Sequence, residues 1–219
     1  MAVTDIDSKL NLIEKFAEEQ GAHAAATFPS DAVVLDSRVK MKCEMPICPH
    51  FGQCLTCPPN VIPFDEFQKV LEKYSVAMLV QTRSEITGDM GEAKQKEVLK
   101  FIASMDFLSP GGDNPDTTGS DLNKMKLAEI SLHKLINEVE GKAMELGFHF
   151  AAGIIGGRCM LCDNCVGQNS DEPCRVPGQA RPSMEGLGID VAITAQNAGL
   201  PFELPPKTEI IWNGLLLVT

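Results

Sequence analysis

The chain has 219 residues, 44% hydrophobic and 22% charged, which is enough for one sizeable core and unlike a collagenous, low-complexity or disordered chain. Its 19 basic and 30 acidic residues leave a net charge of −11, which repels phosphate backbones and anionic lipid and argues against a nucleic-acid or membrane-surface role. The longest apolar runs, such as Leu215 to Val218, are too short to span a bilayer, and the first residues lack a secretory signal, so a cytoplasmic protein is expected.

Residues 6–20 carry Ile6, Leu10, Ile13 and Phe16 at helical spacing, and Gly21 stops that helix. Val33, Val34 and Leu35 begin a predicted strand that continues to Cys43. Period-two alternation there puts Arg38, Lys40 and Lys42 on one face and Val39, Met41 and Cys43 on the other. Pro58, Pro59 and Pro63 lead into a helix with Pro63 near its first position and Phe64, Phe67, Val70 and Leu71 as its apolar stripe. Val76 to Val80 reads as a buried strand. Helices are predicted at about 92–106 and 121–146, separated by a Gly/Pro/Asp loop over 109–120. The second has Leu122, Met125, Leu132, Leu135, Val139, Ala143 and Leu146 at helical spacing, Ser120 as N-cap and Gly147 after its end; Met125 and Met144 read as core filler.

Residues 148–155 form another predicted strand, which passes through Gly156-Gly157 into a cysteine-rich segment. Beyond it, 183–199 is mostly helical, 200–206 extended, and 209–219 a strand or a hairpin about Asn213-Gly214. No internal repeat interrupts this order. Strands interleaved with helices predict an α/β or α+β fold: a single mixed sheet covered by helices, one metal-binding domain over 1–219 with cysteine-rich loops at 43–57 and 159–174.

All eight cysteines fall in those two windows: Cys43, Cys48, Cys54 and Cys57, then Cys159, Cys162, Cys165 and Cys174. Disulfide frameworks belong to small secreted domains, whereas two clusters of four in a chain with its own core look like metal sites. The second window spaces its first three cysteines at i, i+3 and i+6, so three sulfurs can face three corners of an iron–sulfur cubane, with Cys174 as the natural fourth ligand. Tetrahedral zinc more often uses two separated C-x2-C pairs, and stays the alternative. The first window, C-x4-C-x5-C-x2-C, is less specific, and its Cys54/Cys57 pair equally suits a zinc knuckle or a redox pair.

The stretches from Arg38 through Cys43, Cys48, Cys57 and Pro63, and from Gly156 through Cys159, Cys162, Cys165, Cys174, Arg181, Glu185 and Asp190, resemble the "predicted metal-binding protein" family, domain of unknown function 2284. The resemblance implies metal binding of iron–sulfur type, without an assigned reaction, in a family mostly of anaerobic bacteria and archaea. It also implies that the first window uses Cys43, Cys48 and Cys57, leaving Cys54 as a feature of this sequence. With Cys54 aside, one iron would lack a protein thiolate and could bind substrate.

Arg158, Arg175 and Arg181 flank the second window and read either as cations serving a cluster or an anionic substrate, or as ordinary surface charges. Ser183 and Glu185 read either as polar groups of the site or as an N-cap and first-turn acid. His50 could be a ligand, though Cys-rich sites seldom need one; His23, His133 and His149 read as structural or solvated. The leading expectation is one or two [4Fe–4S] clusters passing electrons in anaerobic metabolism to a redox partner such as a corrinoid or flavin protein. The alternatives are an enzyme activating a small, sulfur-containing substrate at an open iron, and a zinc-stabilised interaction module. Whether the chain is an enzyme, and its oligomeric state, stay open at this level.

Overall fold

The run Val76-Ala-Met-Leu-Val80 is apolar without alternation, the pattern of a strand covered on both faces. The computed structural model, which describes residues 3–45, 48, 50–85, 119–162, 164–167, 170–204, 206 and 209–219, puts that run inside a four-stranded antiparallel sheet. Its strands are β1 (Ala24–Pro29), β2 (Val76–Glu85), β3 (Ala152–Ile155) and β4 (Glu209–Val218), in the order β1-β2-β4-β3. The helices are α1 (Val3–Glu19), α2 (Ser37–Glu44), α3 (Phe64–Leu71), α4 (Gly119–Glu145) and α5 (Val191–Asn197). Of the two classes left open, α+β is realised. The one parallel pairing among the described residues is an isolated bridge between Ile155 and Ser183.

Alternate residues of the two central strands feed two cores. Met78, Val80, Leu216 and Val218 pack with Leu10, Ile13 and Ala17 of α1 and Leu132, Ile136 and Val139 of α4. Ala77, Leu79, Leu215 and Leu217 pack on the opposite face with Phe67 and Leu71 of α3, Ala195 of α5, and Met184, Leu187 and Ile189. Each Val, Leu, Ile, Met or Phe side chain so buried contributes roughly 1.5–3 kcal/mol relative to exposure.

Several elements differ from expectation. The segment predicted to run as a strand into Cys43 is helix α2 from Ser37 onward. Asp36 caps it by accepting the Arg38 N–H at 2.8 Å, and Lys40 pairs with Glu44 one turn on. Only Leu35 before it makes a strand-like bridge, to Ile189. The Asn213-Gly214 hairpin does not form, because β4 runs straight through: Asn213 Oδ1 accepts from Gln81 Nε2 at 2.9 Å, and Gly214 pairs with Val80 and Ile155 on its two sides. The strand expected over 148–155 is limited to β3, and the helix expected over 183–199 to α5. Strand β1, Ala-Ala-Ala-Thr-Phe-Pro, was not anticipated. Ser120 lies inside α4 rather than capping it, and Met144 is 42% exposed, no core filler. The helix predicted at 92–106, the loop over 109–118 and the side chains of Leu122 and Met125 lie outside the described residues. Among the described residues no helix is long and apolar enough to cross a membrane.

Candidate metal centres

The second window begins where β3 ends. Gly156 donates its N–H to the Asn213 carbonyl of β4 at 2.7 Å, and a Cβ there would lie 2.8 Å from that oxygen, so only glycine permits the approach. Gly157, at φ +76°, turns the chain out of the sheet. Beyond the turn, Cys159, Cys162, Cys165 and Cys174 line one small, largely enclosed cavity with Val166 and Val176. Arg175 Nη1 closes the loop on the Asn164 carbonyl at 2.9 Å.

The segment after Cys174 is tied back to α4. His133 Nε2 and Asn137 Nδ2 both donate to the Gln179 carbonyl, at 3.0 and 2.8 Å. Arg181 forms a fork on Glu140, with Nε and Nη2 each 2.8 Å from a carboxylate oxygen, while Gly153 N–H donates to the same acid at 2.5 Å. Arg181 is thus held in a carboxylate pair, while Arg175 braces the loop and also lines the cysteine cavity.

The first window is presented by α2. Val39, Lys42 and Cys43 share one face at i, i+3 and i+4, and that face lines a cavity of about 490 Å³. Cys48 and Cys57 line the same cavity, as do His50, Arg158, Ser183 and Glu185. The loop is held by its own backbone: Cys57 N–H donates to the Cys54 carbonyl at 3.1 Å and Asn60 N–H to Cys57 at 2.9 Å. It is also docked on the second window. Ser183 N–H donates to the Thr56 carbonyl at 2.9 Å, and Gly167, at φ +71°, packs against the Gln53 carbonyl, which a Cβ would meet at 3.0 Å.

Cys54 lines neither cavity. It is buried between the windows, with its sulfur 3.2 Å from Thr56 Oγ1 and hydrogen-bonded to Cys57 and to the Cys159 N–H. A hydrogen bond from the Cys57 thiol, with help from the Thr56 hydroxyl and the Thr56 and Cys159 amides, pulls Cys54 down to about 5 despite its burial. Cys57 is pushed up in consequence, its proton shared toward Cys54 and its site desolvated. Burial, then the Glu185 charge and the neighbouring Cys48, pushes Cys43 up to about 12; burial likewise raises Cys159 to about 12. These three thiols keep their protons until a cation takes their place, so metal uptake would release protons.

None of the eight cysteines is paired in a disulfide in the structure. Among the described residues, no three His, Cys, Asp or Glu side chains are placed to hold a single metal ion. The cysteines are arranged around cavities instead. The donor sets are thiol-rich in both windows, the soft chemistry that suits iron–sulfur clusters or zinc.

Two polar groups complete the first cavity. Glu185 Oε2 accepts from Gly157 N–H at 2.9 Å and from Ser183 Oγ at 3.0 Å, and of its two readings the structure places it on the cavity wall, in the turn that Ser183 caps through the Gly186 N–H at 3.2 Å. Arg158 is 5% exposed, and its backbone N–H donates to Glu129. Glu129 was missed by sequence reasoning. It occupies a core position of α4 between Met125 and Leu132, where burial, opposed by Arg158, raises its carboxyl to about 7. An acid on an apolar stripe was the available signal. His50 lines the cavity, while His133 is buried at the brace to Gln179.

No curated protein and no solved structure matches the chain. A family model described as "Predicted metal-binding protein (DUF2284)" matches residues 26–218, a span that contains both cysteine windows, Arg158 and Glu185. On that match the chain belongs to the predicted metal-binding protein family DUF2284.

Proposed function

We propose that the chain holds two iron–sulfur centres of different character. One is closed by Cys159, Cys162, Cys165 and Cys174 and stores or relays electrons. The other is held by Cys43, Cys48 and Cys57 and binds a small substrate in the adjoining cavity of about 490 Å³. A cubane held by three thiolates keeps one iron open, which supplies a Lewis acid and an electron at that position. The observation that carries this reading is the position of Cys54: three sulfurs of the first window line the cavity, and Cys54 lies outside it on Thr56 and the Cys159 amide. The protein's own groups then bind and orient. Glu185, fixed by Gly157 and Ser183, presents a carboxylate to the cavity, and Phe51, Ile189 and Phe202 give it apolar walls.

Electron transfer alone, with Cys54 completing a second closed centre, is the second reading. It is favoured by the burial of Cys54 directly beside Cys57. The partner on either reading is a redox protein, such as a corrinoid or flavin protein.

The test is iron, acid-labile sulfide and zinc per chain in protein purified without oxygen, for wild type, Cys54→Ser and Cys57→Ser. The expected wild-type result is about eight irons with equal sulfide. Cys54→Ser keeps that content, and Cys57→Ser loses about half of it. Loss of about four irons from Cys54→Ser would make Cys54 a ligand and leave electron transfer alone. One or two zincs without sulfide would overturn both iron readings in favour of a zinc-stabilised module.

A further inference from the structure

The guanidinium of Arg158 is the most unusual group in the first cavity. Its residue is 5% exposed, yet Nε and Nη2 have no hydrogen-bond partner among the described residues. Buried donors left unmade are costly, and more so on a cation. The nearby acids do not hydrogen-bond these nitrogens, although the charges of Glu129 and Arg158 attract. Glu185 is engaged by Gly157 and Ser183, Glu129 takes the Arg158 backbone N–H, and Glu129 Oε2 is itself unpartnered. Arg158 lines the same cavity as Cys43, Cys48 and Cys57, a space large enough for a small molecule.

We infer that Arg158 anchors the carboxylate of a small organic acid in this cavity. A carboxylate offers two acceptors in the planar geometry that a guanidinium fork matches, and this supplies the missing partners. Val39, Phe51, Ile189, Val191 and Phe202 line the cavity around it, so the body of the acid is apolar. Lys42 adds a second cation to the lining, while Asp190 is occupied capping α5 through the Ile193 N–H at 3.1 Å. This assignment names the substrate class for the open centre proposed above and rests on that reading for the reaction. Carboxylate binding at Arg158 itself does not depend on it.

The test uses protein purified without oxygen, with its metal content measured, and titrates it calorimetrically with hexanoate and with the uncharged hexanamide. Wild type is expected to bind hexanoate and to bind hexanamide at least about tenfold more weakly, the value of a charge-assisted hydrogen bond. Arg158→Gln, with unchanged metal, loses about tenfold or more in hexanoate affinity. Arg158→Lys, which keeps the charge without the fork, falls between them. Equal binding of acid and amide by wild type, or no binding of either, overturns the inference, as does an Arg158→Gln variant that binds hexanoate like wild type. Loss of metal from Arg158→Gln also overturns it, because the guanidinium would then serve the centre itself. Hexanoate binding that needs Arg158 in a protein without iron would retain the anchor and remove the open-iron reading, so the two fail separately.

Discussion

Gly214 lies in the middle of β4 directly beneath α4, and replacing it by alanine tests how tightly that helix is seated. The new methyl would stand 2.5 and 2.6 Å from Ile136 Cγ1 and Cδ1 and 3.3 Å from Leu132 Cδ1. Carbon pairs rest at about 3.5–4.0 Å, so roughly 1 Å must be recovered. Ile136 cannot yield freely, because it is fully buried and its Cγ2 already occupies the space above Gly153, 2.6 Å from where a Cβ would sit there. The isoleucine must therefore leave its rotamer or the helix must rise, an overpacking that costs about 1–3 kcal/mol. For a chain of this size that is a fall in melting temperature of about 2–12 °C. The assay is thermal and urea denaturation of anaerobically purified protein at matched metal content, in a cycle with Ile136→Val. Removing Cδ1 costs about 0.5–1.5 kcal/mol on the wild-type background and less on the alanine background, with a coupling of at least about 0.5 kcal/mol. A Gly214→Ala protein as stable as wild type, or strict additivity with Ile136→Val, would refute this account of the packing.

Other outcomes follow from the braces around the second window. Arg181→Met leaves Glu140, 13% exposed, with only the Gly153 N–H; it should cost about 3 kcal/mol, and Glu140→Gln in the same chain should recover part of that in urea unfolding. His133 is held down at about 4 by burial, against 6.5 ordinarily, so the unfolded chain binds the extra proton between those values. Its contribution is complete above about pH 6.5 and is lost as pH falls toward 4, about 3 kcal/mol in all. His133→Gln, which keeps a donor for Gln179 and does not titrate, should flatten the stability profile over that range; an unchanged slope would remove His133 from the account. Gly167→Ala, strained at positive φ and pressed on the Gln53 carbonyl, should loosen the contact between the windows, seen as faster alkylation of Cys54 by iodoacetamide.

The helices α1, α3 and α4 were legible because their apolar residues recur at helical spacing, and β2 because its short unbroken apolar run suits a strand covered on both faces. Segment 37–43 was not: three basic residues alternating with apolar ones satisfy a strand, while Val39 and Cys43 also satisfy a helix. Asp36 preceding Ser37 was the deciding cap, and its effect depends on a hydrogen bond that the pattern does not display. Asn213-Gly214 is a hairpin signal locally, but partners on both sides, β2 and β3, keep the strand straight. The grouping of cysteines into windows could be read from spacing, and the resemblance set Cys54 apart. The isolation of Arg158 could not be read, since it arises from Glu129, Gly157 and Glu185 meeting across three distant segments.

Cys54 has a consequence for the two windows taken together. Its sulfur receives a proton donor from Cys57 on one side and the amide of Cys159 on the other, so a single atom adjoins both walls. A change of charge at either wall alters the field at that atom and, through it, the hydrogen bond offered to the opposite wall. Thermodynamic reciprocity makes the effect mutual: by whatever factor occupancy of the first window changes affinity in the second, occupancy of the second changes affinity in the first. Cysteines about a hundred residues apart in sequence thus meet at one buried sulfur, through which any coupling between the two windows would pass.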